Sequence, residues 1–190
     1  PDKEHRDKAL DWLADNLWLF VDNLTPKPDE LLKVFKYAYQ RYGITTFVID
    51  SLTNMVGQMD YEKQQRFVEQ LVEFKLAYNT TVFLVTHSRK GESEAYAPGK
   101  FDVKGSGSIT DLADSFLSVW KNKPKIEHME SCYILDEVPD PDLSSQWDFY
   151  LEVLKNRNGM WEGKVGFMFD KDSCQYLETN TAAPKAYIDN

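Results

Sequence analysis

The sequence has few of the residues and runs that mark several protein classes. It holds two cysteines, Cys132 and Cys174, without CxxC spacing, and three scattered histidines. We therefore expect neither a disulfide framework nor a zinc site. No apolar run approaches the roughly 20 residues that cross a bilayer, and the highly charged stretch 1–8 is unlike a signal peptide. These features predict a cytoplasmic protein with no membrane partner.

Positive charge is also in short supply. Lys and Arg number 22 against 31 Asp and Glu, which gives a net charge of −9. This balance argues against a general nucleic-acid coat protein, whose affinity rests on many contacts between cations and phosphates. It leaves room for DNA held by a few local cations. The 190 residues, of which 42% are hydrophobic and 14% aromatic, fit one domain with a proper core.

The stretch 44–51, ITTFVIDS, is the centre of the predicted fold. Its apolar run from Phe47 to Ile49 predicts a central strand of a parallel sheet. Open α/β sheets bind ligands at the carboxyl ends of their strands, and Mg²⁺ prefers oxygen ligands. Asp50 is therefore a candidate Mg²⁺ ligand, with Ser51 beside it. Taken alone, the pattern also fits an aspartate that only caps a buried strand.

Alternating strands and helices, followed by a hairpin, predict an α/β fold with a mostly parallel central sheet and a C-terminal antiparallel hairpin. Helices are expected at 7–16, 29–41, 61–78 and 109–113, and Gly43 is expected to cap the second. Further strands are expected at 17–21, 81–86, 116–120, 132–135, 149–154 and 165–169, the last two paired. The region from about 121 to 148 is predicted to be a variable loop or insertion, and the tail 179–190 to be loose.

His87 closes the second buried strand as Asp50 closes the first. Parallel strands end at the same edge, where His87 can hydrogen-bond a γ-phosphate or a water beside it; a histidine that serves only local structure is the alternative. The polar loop 89–107 follows, and loops this long are usually functional or mobile. Its candidate DNA contacts are Arg89, Lys90, Lys100, Lys104 and the stretch Gly105, Ser106, Gly107 and Ser108, whose amides precede a helix and suit a phosphate. A solvated surface loop is the alternative.

Two cations alternate at the end of a predicted strand. Lys155 and Arg157 are expected to leave the strand on the same side, in the tight turn KNRNG. Two cations that project together suit a phosphate clamp, and an arginine can stabilise the charge that develops on a γ-phosphate. An ordinary basic hairpin is the alternative.

Taken together, these stretches resemble the RecA-like ATPase domain of DnaB-like hexameric replicative helicases, especially the helicase half of phage and prophage primase-helicases. They occur in the family's order, from about 31 to 169. The matching stretches are FVIDSL (47–52), FLVTHSRK (83–90), VKGSGSITDLAD (103–114), SVWKNK (118–123) and LKNRNG (154–159).

The resemblance implies a role for each candidate residue. Asp50 is the Walker B acid on Mg²⁺, and His87 takes the sensor position. Residues 104–109, with the loop before them, resemble the DNA-binding loop of the central channel. Arg157 matches the arginine finger and Lys155 its neighbouring cation, both acting on ATP, or another nucleotide, bound to the adjacent subunit. The implied partners are single-stranded DNA, further copies in a hexameric ring, and a fused or separate primase, in the cytoplasm of a bacterium or phage-infected cell.

One departure from the family pattern is large. No GK[ST] occurs anywhere in the 190 residues, so the Walker A loop is missing, as is the glutamate that orients the attacking water. We expect residues 1–190 to be a single, partial RecA-like domain that lacks the N-terminal part of its core. The 190-residue chain alone is predicted to be inactive, because the Walker A loop supplies most of the triphosphate cradle.

The predicted function is that of an ATP-dependent replicative DNA helicase motor, which couples hydrolysis to movement on single-stranded DNA. One alternative is a RecA-type recombinase or regulatory ATPase, which would form filaments or load DNA without unwinding it. Another is a non-catalytic module that binds single-stranded DNA or drives oligomerisation.

Overall fold

A computed structural model of the chain describes residues 3–21, 27–56, 60–88, 96–99, 102–103 and 107–186. Thirteen elements follow one another in these ranges. They are α1 (Lys3–Asn16), α2 (Pro28–Tyr42), β1 (Thr46–Asp50), α3 (Leu52–Val56), α4 (Tyr61–Tyr78), β2 (Thr81–Val85), α5 (Gly107–Leu112), β3 (Ser115–Lys121), α6 (Lys123–Leu135), α7 (Pro141–Ser144), β4 (Phe149–Asn156), β5 (Gly163–Asp170) and β6 (Gln175–Leu177). No helix in the described part of the chain is both long and apolar enough to cross a membrane.

The described strands form two separate sheets. β1 and β2 make a parallel pair, while β3, β4, β5 and β6 make an antiparallel sheet in chain order. The α/β class and the antiparallel pairing of β4 with β5 are confirmed. A mostly parallel sheet is wrong for the described strands, since only β1 and β2 pair in parallel. Short turns join β4 to β5 and β5 to β6. Turns this short can connect antiparallel strands but not parallel ones.

Two helices cover one face of the parallel pair. Phe35 of α2, Phe47 of β1 and Phe74 of α4 are buried together, and the rings of Phe35 and Phe47 stack with their centroids 4.3 Å apart. Contacts of this kind bury large apolar areas and dominate the free energy of a core. On the opposite face, Val48 and Phe83 are 65% and 50% exposed. The burial of β1 therefore alternates, in contrast to the expectation of a strand covered on both sides.

Helix α2 ends as the sequence predicts. Gly43 adopts a left-handed backbone with φ of 70°, and its N–H donates to the carbonyl of Tyr39 at 2.9 Å. Glycine reaches this conformation without the strain that a Cβ causes. The turn delivers the chain into β1 three residues later, and so positions the strand that ends at Asp50.

The strand predicted at 17–21 is absent from the structure. Helix α1 runs to Asn16, the N–H of Leu17 still donates to the carbonyl of Leu13 at 2.7 Å, and residues 17–21 form neither a helix nor a strand. A strand exists only where a second strand pairs with it, and within the described ranges none lies beside this segment. The β-propensity of LWLFV alone was therefore misleading.

The region 121–148 is more regular than predicted. Residues 123–135 form α6, so the strand predicted at 132–135 is wrong, and the region predicted to be a variable loop or insertion contains a helix. Asn122 caps this helix through its side-chain oxygen and donates from its side-chain amide to the carbonyl of Trp147 at 3.0 Å. Lys125 is buried and pairs with Asp148 at 2.8 Å. The charged residues of this region are thus not all on the surface, since Lys125 lies in the interior.

Candidate functional site

Asp50 and His87 lie at the same edge of the parallel pair. Asp50 is the last residue of β1 and stands opposite Val85, the last residue of β2. His87 follows two residues later, and both side chains are exposed. The carboxyl ends of β1 and β2 therefore present an acid and an imidazole to solvent, at the kind of edge where α/β sheets bind ligands.

Ser51 lies differently from its neighbour. Its residue is 1% exposed, and its hydroxyl is 3.0 Å from that of Thr53 in the first turn of α3. Ser51 therefore belongs to the interior beneath the edge, and only Asp50 of this pair is open to a ligand. A role for Ser51 in nucleotide binding remains a prediction.

The donor set at this edge fits magnesium only as a partial site. The described residues contain no group of three His, Cys, Asp or Glu side chains that could hold a metal ion. Magnesium is commonly held by one or two carboxylates, with water and substrate phosphates completing an octahedron. The single exposed carboxylate of Asp50 is compatible with that arrangement.

Lys155 and Arg157 form a second cluster, at the end of α5. The ammonium of Lys155 donates to the carbonyls of Thr110 and Asp111, each at 2.8 Å. The guanidinium of Arg157 donates to the carbonyl of Asp111 at 2.8 Å and to the carboxylate of Asp114 at 3.3 Å. Both side chains reach the same end of one helix, as their alternation in sequence predicts.

Asp114 is the acid at the centre of this cluster. Its carboxylate pairs with Lys75 of α4 and with Arg157. Lys75, which hydrogen-bonds the carboxylate, is the main reason that the pKa of Asp114 is lowered; the charges of Arg157 and Lys155 lower it further, against partial desolvation. The ionised form is therefore favoured, and two cations pair with this one carboxylate.

Most of the predicted DNA contacts fall outside the described residues. These are Arg89, Lys90, Lys100, Lys104, Gly105 and Ser106. Gly107 is the exposed first residue of α5 and Ser108 follows it in the same helix. An isolated antiparallel bridge joins Ser88 to Val103, so the segment between them begins and ends at one place. Helix α5, whose far end holds Lys155 and Arg157, begins four residues after Val103 in the sequence.

Sequence reasoning missed Asp114 and Lys75. Asp114 is the last residue of the stretch VKGSGSITDLAD. Its partners lie 39 and 43 residues away. Local spacing carries no signal for a contact at that separation, and only the pairing of β3 with β4 brings Arg157 beside it.

The chain matches no protein-family model and no curated protein.

Proposed function

We propose that this chain contributes to the motor of a DNA helicase, which hydrolyses a nucleoside triphosphate and moves along single-stranded DNA. One observation carries the proposal: Asp50 and His87 stand exposed at the shared carboxyl edge of two parallel strands. Such a motor needs two groups at one edge of its sheet. One is an acid that binds Mg²⁺, and the other is a residue nearby that senses the γ-phosphate. The RecA-like resemblance of the flanking stretches supports the same function.

The reaction is in-line attack of water on the γ-phosphate. Asp50 would hold Mg²⁺, which would supply positive charge against the negative charge that develops on the phosphate. His87 hydrogen-bonds the γ-phosphate or a water beside it, and so reports the nucleotide state to the segment that begins at residue 88. The triphosphate cradle requires a GK[ST] motif, which these 190 residues do not contain.

Arg157, with Lys155 beside it, acts on nucleotide held by an adjacent copy. The Arg157 side chain is 50% exposed, so half of its surface is accessible to a neighbour while the other half is held by α5. An arginine supplied by a second subunit stabilises transition-state charge and is worth about 10³–10⁵ in rate. The proposed assembly is a hexameric ring in the cytoplasm, with single-stranded DNA in its channel and a primase fused or associated.

Unwinding of a forked duplex by the intact gene product tests the proposal. Wild-type protein is expected to displace the strand in the presence of Mg²⁺ and ATP, and Asp50→Ala to abolish both hydrolysis and displacement. Hydrolysis without displacement would contradict the helicase function and favour a recombinase or regulatory ATPase. Salt-sensitive DNA binding that is independent of nucleotide, with no hydrolysis, would favour a non-catalytic module.

Mixed assemblies test whether Arg157 acts across an interface. Arg157→Ala subunits retain Asp50, and Asp50→Ala subunits retain Arg157. Mixing two inactive variants is therefore expected to restore interfaces that carry both groups, with ATPase activity highest near equal proportions. Activity that stays at the level of the separate variants at every ratio would contradict action in trans. The purified 190-residue chain is expected to show no turnover above background.

A further inference from the structure

The last carbonyls of α5 hold both proposed phosphate-facing cations. The final carbonyls of a helix have no partners within the helix, and cations are favoured there by the helix dipole. Thr110 and Asp111 supply these carbonyls to the ammonium of Lys155, and Asp111 also supplies its carbonyl to Arg157. The direction in which the two cations project is thus tied to the orientation of α5.

Asp114 fixes Arg157 from a second side. The carboxylate accepts from the guanidinium at 3.3 Å, and the backbone N–H of Arg157 donates to the carbonyl of Asp114 at 2.7 Å. Main chain and side chain of the arginine are therefore both attached to one residue. A planar guanidinium with two anchored nitrogens has few orientations left, which reduces the entropy lost when it meets a phosphate.

Resting on the proposed function, we propose that Asp114 is a positioning residue that holds the Arg157 guanidinium in its working direction. The far end of α5 carries the anchors of both Lys155 and Arg157.

The opposite role is a restraint that withholds Arg157 from the neighbour. The two roles predict opposite effects, because loss of a positioning contact lowers kcat and loss of a restraint raises it. Half of the Arg157 side chain remains open to solvent while it contacts Asp114. Arg157 can therefore reach a neighbouring subunit without breaking its contact with Asp114, and this favours the positioning role over the restraint.

Steady-state NTP turnover by the intact gene product tests this role. Asp114→Asn keeps the size of the side chain and removes its charge. Its kcat is expected to fall by about ten- to a hundredfold, while KM for the nucleotide changes less than about twofold, because Arg157 acts on charge that develops in the transition state. Glu73→Gln makes the same change of charge at an exposed position of α4 and is expected to keep wild-type kcat. An unchanged or increased kcat for Asp114→Asn overturns the positioning role.

Lys75→Met separates positioning from a purely structural role. This variant removes the other partner of Asp114 and leaves the pair with Arg157 in place. Under the positioning role it lowers the thermal midpoint and keeps most of kcat. If Lys75→Met reproduces the kcat of Asp114→Asn, the carboxylate serves only to fasten α4, and the proposal fails.

A double-mutant cycle with Arg157→Ala completes the test. The effect of Asp114→Asn is expected to disappear in the Arg157→Ala background, and full additivity of the two effects overturns the proposal. Where Asp114→Asn does not fold, Asp114→Glu enters the same cycle, because the added methylene displaces the guanidinium while keeping the charge. If Arg157→Ala alone leaves turnover unchanged, the proposed role of Arg157 fails first. If Arg157→Ala is defective and Asp114→Asn is not, only the positioning role fails.

Discussion

Asp50 stands directly opposite Val85 in the register of β1 and β2, which places its carboxylate at the open edge shared with His87. The side chain is exposed, and its position at the strand end makes it available to a ligand. A carboxylate placed in this way has little part in holding the fold together. Structure and function can therefore be separated experimentally at this residue.

We expect Asp50→Asn to leave stability nearly unchanged and to remove activity. Surface substitutions of this kind usually alter the free energy of unfolding by no more than about 0.5 kcal/mol. Loss of a magnesium ligand should lower the Mg²⁺-dependent turnover of the intact gene product by about a hundredfold or more. Urea unfolding and an ATPase titration with Mg²⁺ measure the two effects.

Asp170→Asn is the matched control. The Asp170 carboxylate accepts from the N–H of Ser173 at 2.9 Å, and hydrogen bonds from Ser173 lower the pKa of Asp170. Its substitution should therefore reduce stability and leave turnover intact. If Asp50→Asn instead loses stability in parallel with activity, the carboxylate is structural and the magnesium role fails.

The pKa of Asp114 leads to a pH dependence of stability. Its pKa is lowered in the folded chain, mainly by the hydrogen bond from Lys75, against about 3.9 when unfolded. The stabilisation is fully present above that unfolded value and is lost as pH falls through the lower, folded value. For a carboxylate that is partly exposed, we expect about 1 kcal/mol or less.

Urea midpoints of wild type and Asp114→Asn between about pH 2 and pH 6 measure this contribution. The difference between the two proteins is expected to be constant above about pH 4 and to shrink on acidification. A difference that grows as pH falls would have the wrong sign for a carboxylate with a lowered pKa.

The buried Lys125 offers a test of the region 121–148. Lys125 is 5% exposed and pairs with Asp148, whose carboxylate also accepts from the N–H of Phe169 at 2.9 Å. Lys125→Met leaves that carboxylate without its cation and is expected to cost about 2–3 kcal/mol in the free energy of unfolding. Lys36→Met, at an exposed position of α2, should change it little.

The double variant Lys125→Met, Asp148→Asn isolates the pair. Because it removes both charges, it is expected to be more stable than the sum of the single changes predicts. Urea unfolding of the four proteins measures this difference. Strict additivity would mean that the two charges do not interact in solution.

Local patterns were sufficient wherever one residue or one repeat decides the conformation. Gly43 predicted a helix end because few other residues adopt its backbone, and the apolar spacing of 61–78 predicted a helix that is confirmed. The segment 17–21 has strand composition but no described partner strand. In 123–135 the sequence predicts no helix, whereas the structure has one, with Lys125 buried in it. Pairing and burial depend on distant residues, which a linear pattern does not contain.

In the candidate site, too, some relationships between residues could be predicted from the sequence and others could not. Asp50 and His87 could be related from sequence because parallel strands end at one edge, and the register of β1 with β2 agrees. The partnership of Asp114 with Arg157 could not, because 43 residues separate them. Whether these groups act on a nucleotide and on DNA remains a prediction for the experiments above.

The exposure of Val48 and Phe83 on one face of the parallel pair has a practical consequence for purification of the chain. Val48 and Phe83 place bulky apolar side chains in water on a face that in parallel sheets is normally covered. Salts such as sulfate strengthen the tendency of such surfaces to leave water. The chain should therefore precipitate at an unusually low concentration of ammonium sulfate. It should stay soluble best in buffers whose anions are only weakly excluded from the protein surface.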